Sequence, residues 1–335
     1  MEYKLFGIKS TGQQTLAALR VVQFSLVFSL LLTPKLWLPI DRVLPAIPVF
    51  YFVDMLPSFL NFGATILAII ILLFSFFAKH KKFLFVSYLI LISIASIFDV
   101  LRVQPWLFYY SAFIFVLYFT QSDPKKALHI CAFILSLVYI FSGMQKLNAG
   151  FATDTFPWLM QPITNHTNKV ITRFISSLWI LAPIAEFGAG FGLWFKRSQK
   201  TSKWILVGMH LFILMMIGPA GLNVNVVVWP WNISFIVLLL ILFDSSTEFS
   251  IQFYKKWKPE IAKYATLLVF VLLPVLSFSG FWPKHLSAAL YSGNKVRGYV
   301  YLSDQITASL PIKVQAKSNK FDNRLSVTNW AMGEL

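Results

Sequence analysis

The sequence predicts an all-α fold, a multi-pass transmembrane helical bundle of about nine spans with a short extracytoplasmic C-terminal tail that carries short strands. Three observations predict it. Of the 335 residues, 57% are hydrophobic and 13% are charged, whereas soluble chains carry about a quarter charged residues. A larger core does not explain that deficit, because a soluble domain must still cover itself with polar groups. The mean hydropathy is +0.69. Finally, apolar runs of about 20 residues, the length a bilayer requires, recur along the chain with basic residues gathered between them.

In chain order the spans are predicted at 16–33, 58–78, 83–99, 105–121, 127–147, 174–195, 203–219, 225–244 and 264–282. The first follows a leader holding Lys4, Lys9 and Arg20 and ends in Thr33-Pro34-Lys35 rather than at a small-x-small cleavage site. It reads as a retained helix, not a signal peptide. The third and fourth are short, and a pair of half-spans there would leave both flanks on the same sides. Residues 34–57 hold Pro34, Pro39, Pro45, Pro48 and Pro57 among aromatic residues, which predicts a loop with a short interfacial segment. Residues 148–173 predict the longest loop on that same side. The chain therefore divides into a transmembrane domain, 1–282, and a polar tail, 283–335, in which apolar/polar alternation at 296–302 and 312–316 predicts short strands. So small a tail forms little core alone and is expected to pack on the loops.

Charge supplies the orientation. One set of alternate loops holds Lys4, Lys9, Lys79, Lys81, Lys82, Lys125, Lys126, Lys196, Arg197, Lys200, Lys203, Lys255, Lys256, Lys258 and Lys263; before the tail, the other set holds only Lys35, Arg42, Arg102, Lys169 and Arg173. The positive-inside rule then places the N-terminus in the cytoplasm and the tail on the opposite side. The net charge of +16 does not point to nucleic acid, since the basic residues are dispersed among spans; anionic lipid headgroups are the expected partner. Cys131 is the single cysteine, which excludes an intramolecular disulfide and a cysteine metal cluster. No metal motif, phosphate loop or Ser/His/Asp constellation is present.

Ionisable groups inside spans are costly and usually face protein or a wet cavity. Lys146 ends the fifth span, and two readings stand: an amine snorkelling to the interface, or a base in an apolar pocket. Ser142 and Gly143 beside it would let another helix or a ligand approach closely. Glu186 lies midway along the sixth span and must be protonated or paired. His210 lies midway along the seventh, at similar depth, so a Glu186–His210 contact is compatible with the spacing. Asp99 and Arg102, at i and i+3, are expected to pair with each other. The eighth span opens with Asn223, Asn225, Trp229, Pro230, Trp231 and Asn232; tryptophans are ordinary there, but a proline inside a span frees a carbonyl. Asp99, Arg102, Lys146, Asn223, Asn225 and Asn232 fall toward the outer half with Glu186 and His210 deeper, which predicts a cavity polar at its outer mouth and apolar below. Lys146 is expected to point into it where the fifth to eighth spans border it, within reach of Asn or His groups of neighbouring helices.

The stretch Tyr139-Ile140-Phe141-Ser142-Gly143-Met144-Gln145-Lys146-Leu147-Asn148 with Phe151 resembles the membrane domain of vitamin K-dependent gamma-glutamyl carboxylase, shared with the bacterial horizontally transferred transmembrane (HTTM) proteins. The turns around Asp99–Trp106 and Val228–Asn232 look like those of bacterial membrane proteins of this type, and there is a looser similarity to DoxX-like quinone-associated proteins. The resemblance covers roughly residues 15–280. It implies a bacterial inner-membrane protein with Lys146 as catalytic base, joined by His210 and Glu186. Asn148, Asn225, Trp229, Asn232 and Arg102 would bind a membrane quinone of menaquinone or vitamin K type, or another prenyl lipid. Gln145 stands where the animal enzyme has a basic residue, and the large lumenal domain of the carboxylase is replaced by a short tail. Quinone binding is therefore implied more directly than peptide carboxylation. The alternative expectation is a non-enzymatic membrane scaffold or accessory subunit whose loops and tail hold a membrane or extracytoplasmic protein partner. A transporter fits less well, without inverted repeats and with few intramembrane charges.

Overall fold

The structure, a computed structural model, describes residues 10–38, 46–77, 81–244, 249–253, 257, 260–293, 299–301, 303–309 and 324–326. The expectations on Lys4, Lys9, Pro39, Arg42, Pro45, Lys79, Lys255, Lys256, Lys258 and the strand at 312–316 lie outside the described residues.

The described fold is a helical bundle. Its apolar helices are α1 (Thr11–Leu32), α2 (Ser58–Phe74), α3 (Lys81–Ile97), α4 (Pro105–Phe119), α5 (Pro124–Gln145), α6 (Lys169–Gly192), α7 (Lys196–Ile217), α8 (Val228–Leu242) and α9 (Ile261–Ser279). Five of these, α1, α5, α6, α7 and α9, are long and apolar enough to cross a membrane. The other four are apolar but shorter; α4 and α8, at 15 residues each, reach about 22 Å, short of the ~30 Å hydrocarbon core. Each of the nine overlaps one of the spans read from the sequence.

Local chemistry sets the boundaries. Ser10, Asp123 and Asn168 cap α1, α5 and α6 by accepting hydrogen bonds from backbone N–H groups of the first turn, which otherwise lack partners. The Asn168 cap starts α6 at Lys169, so the helix opens before the apolar run that marked its predicted start. Pro230 lies in the first turn of α8, where its missing N–H removes no helical bond, so the freed carbonyl expected of a proline inside the span does not arise. In α9 a π-turn at Leu268–Leu272 precedes Pro274 and widens the turn against which the ring would otherwise clash. The loop predicted at 148–173 is largely helical, with a π-turn at Phe151–Thr155 and single helical turns at Phe156–Leu159 and Gln161–Thr164.

The contacts sort the helix ends into two groups. At one end, Thr15 bonds the Pro124 carbonyl, Arg20 the Phe76 carbonyl, Lys126 pairs with Glu260, and Lys203 bonds the Phe243 carbonyl. At the other, Arg102 bonds the Leu36 and Ala95 carbonyls, Tyr109 the Leu286 carbonyl, and Asn148 the Ser292 carbonyl. Successive helices run in alternate directions between these ends. Lys82, Lys125, Lys126, Lys196, Arg197, Lys200, Lys203 and Lys263 gather at the first, hereafter the basic end.

The core centres on α5. Its membrane-length window is 94% buried, against 22% for α6 and α9, and it packs on α1, α4, α6 and α8. Exposed Phe, Leu and Ile side chains along α1, α2, α3, α6 and α9 form the surface that a lipid solvent would cover. Of the tail strands, one falls within the predicted 296–302 segment: β1 (Tyr299–Tyr301) pairs antiparallel with β2 (Arg324–Ser326), Val300 opposite Leu325. The β2 segment was not nominated by the sequence pattern.

Candidate functional site

The chemistry gathers where α5 and α6 touch. On α5, Tyr139, Ser142, Gly143 and Lys146 recur every three to four residues and so share one stripe of the helix. On α6, Pro183, Glu186, Phe187 and Gly190 form the facing stripe. Glycine makes the approach close: a Cβ on Gly143 would stand 2.6 Å from the Phe187 backbone N and 2.8 Å from the Pro183 carbonyl oxygen. A Cβ on Gly190 would stand 2.8 Å from the Tyr139 Cβ and 2.9 Å from the Ile140 N. No side chain fits either place, so the two helices meet backbone to backbone. One turn toward the basic end, the Trp194 indole N–H donates to Ser136 Oγ at 2.6 Å.

This contact brings Lys146 against Glu186. The ammonium lies 2.6 Å from Glu186 Oε2 and 2.6 Å from Ser142 Oγ, and the two charged side chains are only 13% and 8% exposed. The amine is thus neither among headgroups nor isolated in an apolar pocket; it is half of a buried ion pair. Two of its three N–H bonds have acceptors in the described contacts and a third is left to offer. The expected reach of Lys146 to Asn or His groups of neighbouring helices gives way to a carboxylate on the helix that packs closest.

His210 belongs to a second chain of bonds. Its Nε2 lies 2.7 Å from the Tyr139 hydroxyl and its Nδ1 lies 2.7 Å from Asn232 Oδ1, while the Asn232 amide donates to the Val228 carbonyl at 2.7 Å. Because Asn232 Oδ1 is only an acceptor, Nδ1 carries the proton and Nε2 accepts from Tyr139 when the ring is neutral. Glu186 and His210 are both buried, but each bonds a different residue of α5, not the other. Tyr139 and Lys146 are seven residues apart, about 10 Å along the axis, so ion pair and relay occupy successive turns of one helix face. Sequence reading did not nominate Tyr139; its i, i+3, i+7 spacing with Ser142 and Lys146 was the available signal.

The remaining candidates are distributed around this centre. Asn148 ties the end of α5 to the post-α9 segment: its amide donates to the Gln145 and Ser292 carbonyls, and its oxygen accepts from the Phe151 N–H. Gly150 and Gly293 approach there so closely that a Cβ on Gly150 would lie 2.5 Å from the Gly293 oxygen. Asn225, in a left-handed conformation with φ 50°, donates to the Tyr291 hydroxyl at 3.0 Å. Burial, partly offset by that bond, pushes Tyr291 up to about 12. Trp229 has a buried indole N–H for which the described residues offer no acceptor. Arg102 stands apart. Its guanidinium donates to the Leu36 and Ala95 carbonyls at 2.8 Å each, and to Asn61 and Thr65 of α2, and it lies 5.6 Å from the Trp37 ring. Asp99 caps the turn at Val100–Arg102 by accepting from the Leu101 N–H. Arg102 therefore joins the short helical turn Pro34–Trp37 to α2 and α3 through contacts that share no residue with the Lys146 cluster.

Two cavities lie away from the Lys146 cluster. A slot of about 940 Å³ lies between α3, α4, the start of α5 and α9, and a crevice of about 70 Å³ lies beside Gln104, Asn225 and Trp231. Of the candidate residues, only Asn225 lines either one. The α5–α6 contact and the relay lie where the sequence placed a cavity, between the fifth and eighth spans. Among the described residues no group of His, Cys, Asp and Glu is arranged to hold a metal. No protein-family model, curated protein or solved structure matches the chain.

Proposed function

We propose that this chain is a nine-span bacterial inner-membrane protein, basic end in the cytoplasm and tail outside, that binds a membrane quinone or another prenyl lipid at the Lys146–Glu186 pair. The four shorter helices cross with the help of the turns that flank them, and the gathering of lysines at one end supports the orientation. A reporter fused after Lys126 or Lys203 is expected to read cytoplasmic and one fused at Ser292 external; a cytoplasmic Ser292 would remove the orientation.

The observation that carries the functional reading is a charge pair buried between two apolar helices of membrane-spanning length, beside a continuous Tyr139–His210–Asn232 chain. Such groups are expensive there and are kept where they do something. A quinone carbonyl accepts hydrogen bonds, and the unspent Lys146 N–H and the unpartnered Trp229 N–H are suitable donors. A quinol hydroxyl loses its proton to the Glu186 carboxylate, giving the quinolate and the neutral acid, and the Lys146 ammonium stabilises the anion left behind. In this account Glu186 takes the proton and Lys146 holds the product, in place of a neutral lysine base. Tyr139, His210 and Asn232 fix the neighbouring turn and offer a route for that proton through hydroxyl and imidazole.

A second reading is favoured by the close glycine packing: the ion pair is a structural latch in a scaffold or accessory subunit. Lipid extraction and mass spectrometry of the purified protein separates the two. Recovery of a stoichiometric quinone that is lost in Lys146→Met supports the first, and its absence leaves the latch.

A further inference from the structure

We infer that the slot between α3, α4 and α9 is a binding site for one anionic phospholipid of the leaflet at the basic end. The first half of α9 walls a slot of about 940 Å³, at the upper limit of ligand pockets, which run to about 1,000 Å³. Its lining on α4 runs from Leu107 to Thr120, about 20 Å of depth. That exceeds one leaflet's share, about 15 Å, of the hydrocarbon core and accommodates an extended acyl chain. Its walls, Leu89, Ile92, Phe108, Phe115, Val269 and Phe270 among them, are apolar.

The two ends differ. One is lined by Val49, Ile97 and Gln104; the other reaches Lys126 and Glu260. Lys82 is exposed with its amine 5.7 Å from the ring of Phe119, a wall residue. Lys263 follows on the first turn of α9, and Lys125 is exposed beside Lys126. Among the described residues these lysines outnumber the carboxylates there, Asp123 and Glu260. Asp123 caps α5, and Glu260 is held by Lys126 and the Trp257 indole. An apolar slot opening onto an excess of lysine matches a lipid with hydrocarbon chains and a phosphate, and the net positive mouth selects an anionic headgroup over a zwitterionic one. The site shares no residue with the Lys146 centre.

The test uses the full chain, stripped of lipid in detergent and offered vesicles of phosphatidylglycerol or phosphatidylcholine, with retained lipid counted by native mass spectrometry. One phosphatidylglycerol per chain is expected, retained at least tenfold over phosphatidylcholine. Ala112→Phe or Ala265→Phe, each placing a ring in the slot, is expected to abolish retention, and Lys126→Gln with Lys263→Gln to erase the headgroup preference. Excess menaquinone is expected to leave phosphatidylglycerol retention unchanged, which separates this site from the quinone reading. Equal retention of both lipids, no retention, or retention unaffected by the ring substitutions overturns the proposal.

Discussion

Removing Lys146 or Glu186 alone is expected to cost far more than removing both. With side chains 13% and 8% exposed, each charge has lost nearly all its solvent, and their 2.6 Å contact is the compensation. Breaking a buried pair by deleting one partner costs about 3–5 kcal/mol, because the survivor is left charged and unsolvated. The slight exposure of Lys146 places the expectation near the lower limit, about 3 kcal/mol for Lys146→Met and for Glu186→Leu. The double variant carries no orphan charge and is expected within about 1 kcal/mol of the parent, since a buried pair replaced by apolar side chains is often neutral. The coupling between the sites is then several kcal/mol and opposite in sign to the single losses. Reversible unfolding in mixed micelles, followed by tryptophan fluorescence, measures all four corners of the cycle. Single losses below about 1 kcal/mol that add in the double variant would show that water reaches the pair and would refute the reasoning.

Other expectations follow from the same geometry. Gly143→Ala forces a methyl onto the Phe187 backbone and Pro183 carbonyl, and is expected to cost about 1–3 kcal/mol as overpacking. Gly208→Ala, where nothing lies within 4 Å of the added carbon, is expected to gain up to about 1 kcal/mol; equal effects in the same unfolding assay would contradict the close contact. Asn232→Ala leaves the His210 Nδ1–H without its acceptor and is expected to cost about 1–3 kcal/mol, with Asn232→Asp, which keeps an oxygen there, less disruptive at neutral pH; a neutral Asn232→Ala would argue against the relay. Burial holds His285 below its ordinary range, partly offset by a bond with the Val103 backbone. Below about pH 6.5 the unfolded chain takes up a proton that the folded chain declines, so the stability this residue leaves intact above that pH is lost as pH falls toward the lowered folded value. The loss is at most about 1.4 kcal/mol per pH unit, and a thermal-stability profile from pH 7.5 to 5 is expected to flatten in His285→Gln; an unchanged profile excludes the titration.

The helices were legible because membrane solvation writes them directly into composition: a run of apolar residues long enough to cross has few other destinations. Their boundaries were less legible, because caps rather than hydropathy set them. Asn168 starts α6 several residues before the apolar run, and Pro230 falls harmlessly in a first turn whose start only the structure fixes. The Lys146–Glu186 pair was legible as two unusual residues but not as a pair. Forty positions separate them, and depth alone suggested His210 for Glu186 because α6 and α7 are consecutive. What decides the pairing is that Gly143 and Gly190 bring α5 and α6 together more closely than any side chain would allow. The slot beside α9 left no sequence signal, because it depends on how far that helix stands from α3 and α4.

The account turns on whether a quinone reaches the Lys146–Glu186 pair. A photoreactive menaquinone analogue, cross-linked in membranes and located by peptide mass spectrometry, reads this directly. Labelling is expected on α5 between Tyr139 and Asn148 or on α6 between Pro183 and Gly190, competed by unmodified menaquinone and lost in Lys146→Met. Competed labelling confined to the walls of the α3–α4–α9 slot, or no competed labelling in a folded protein, would contradict it.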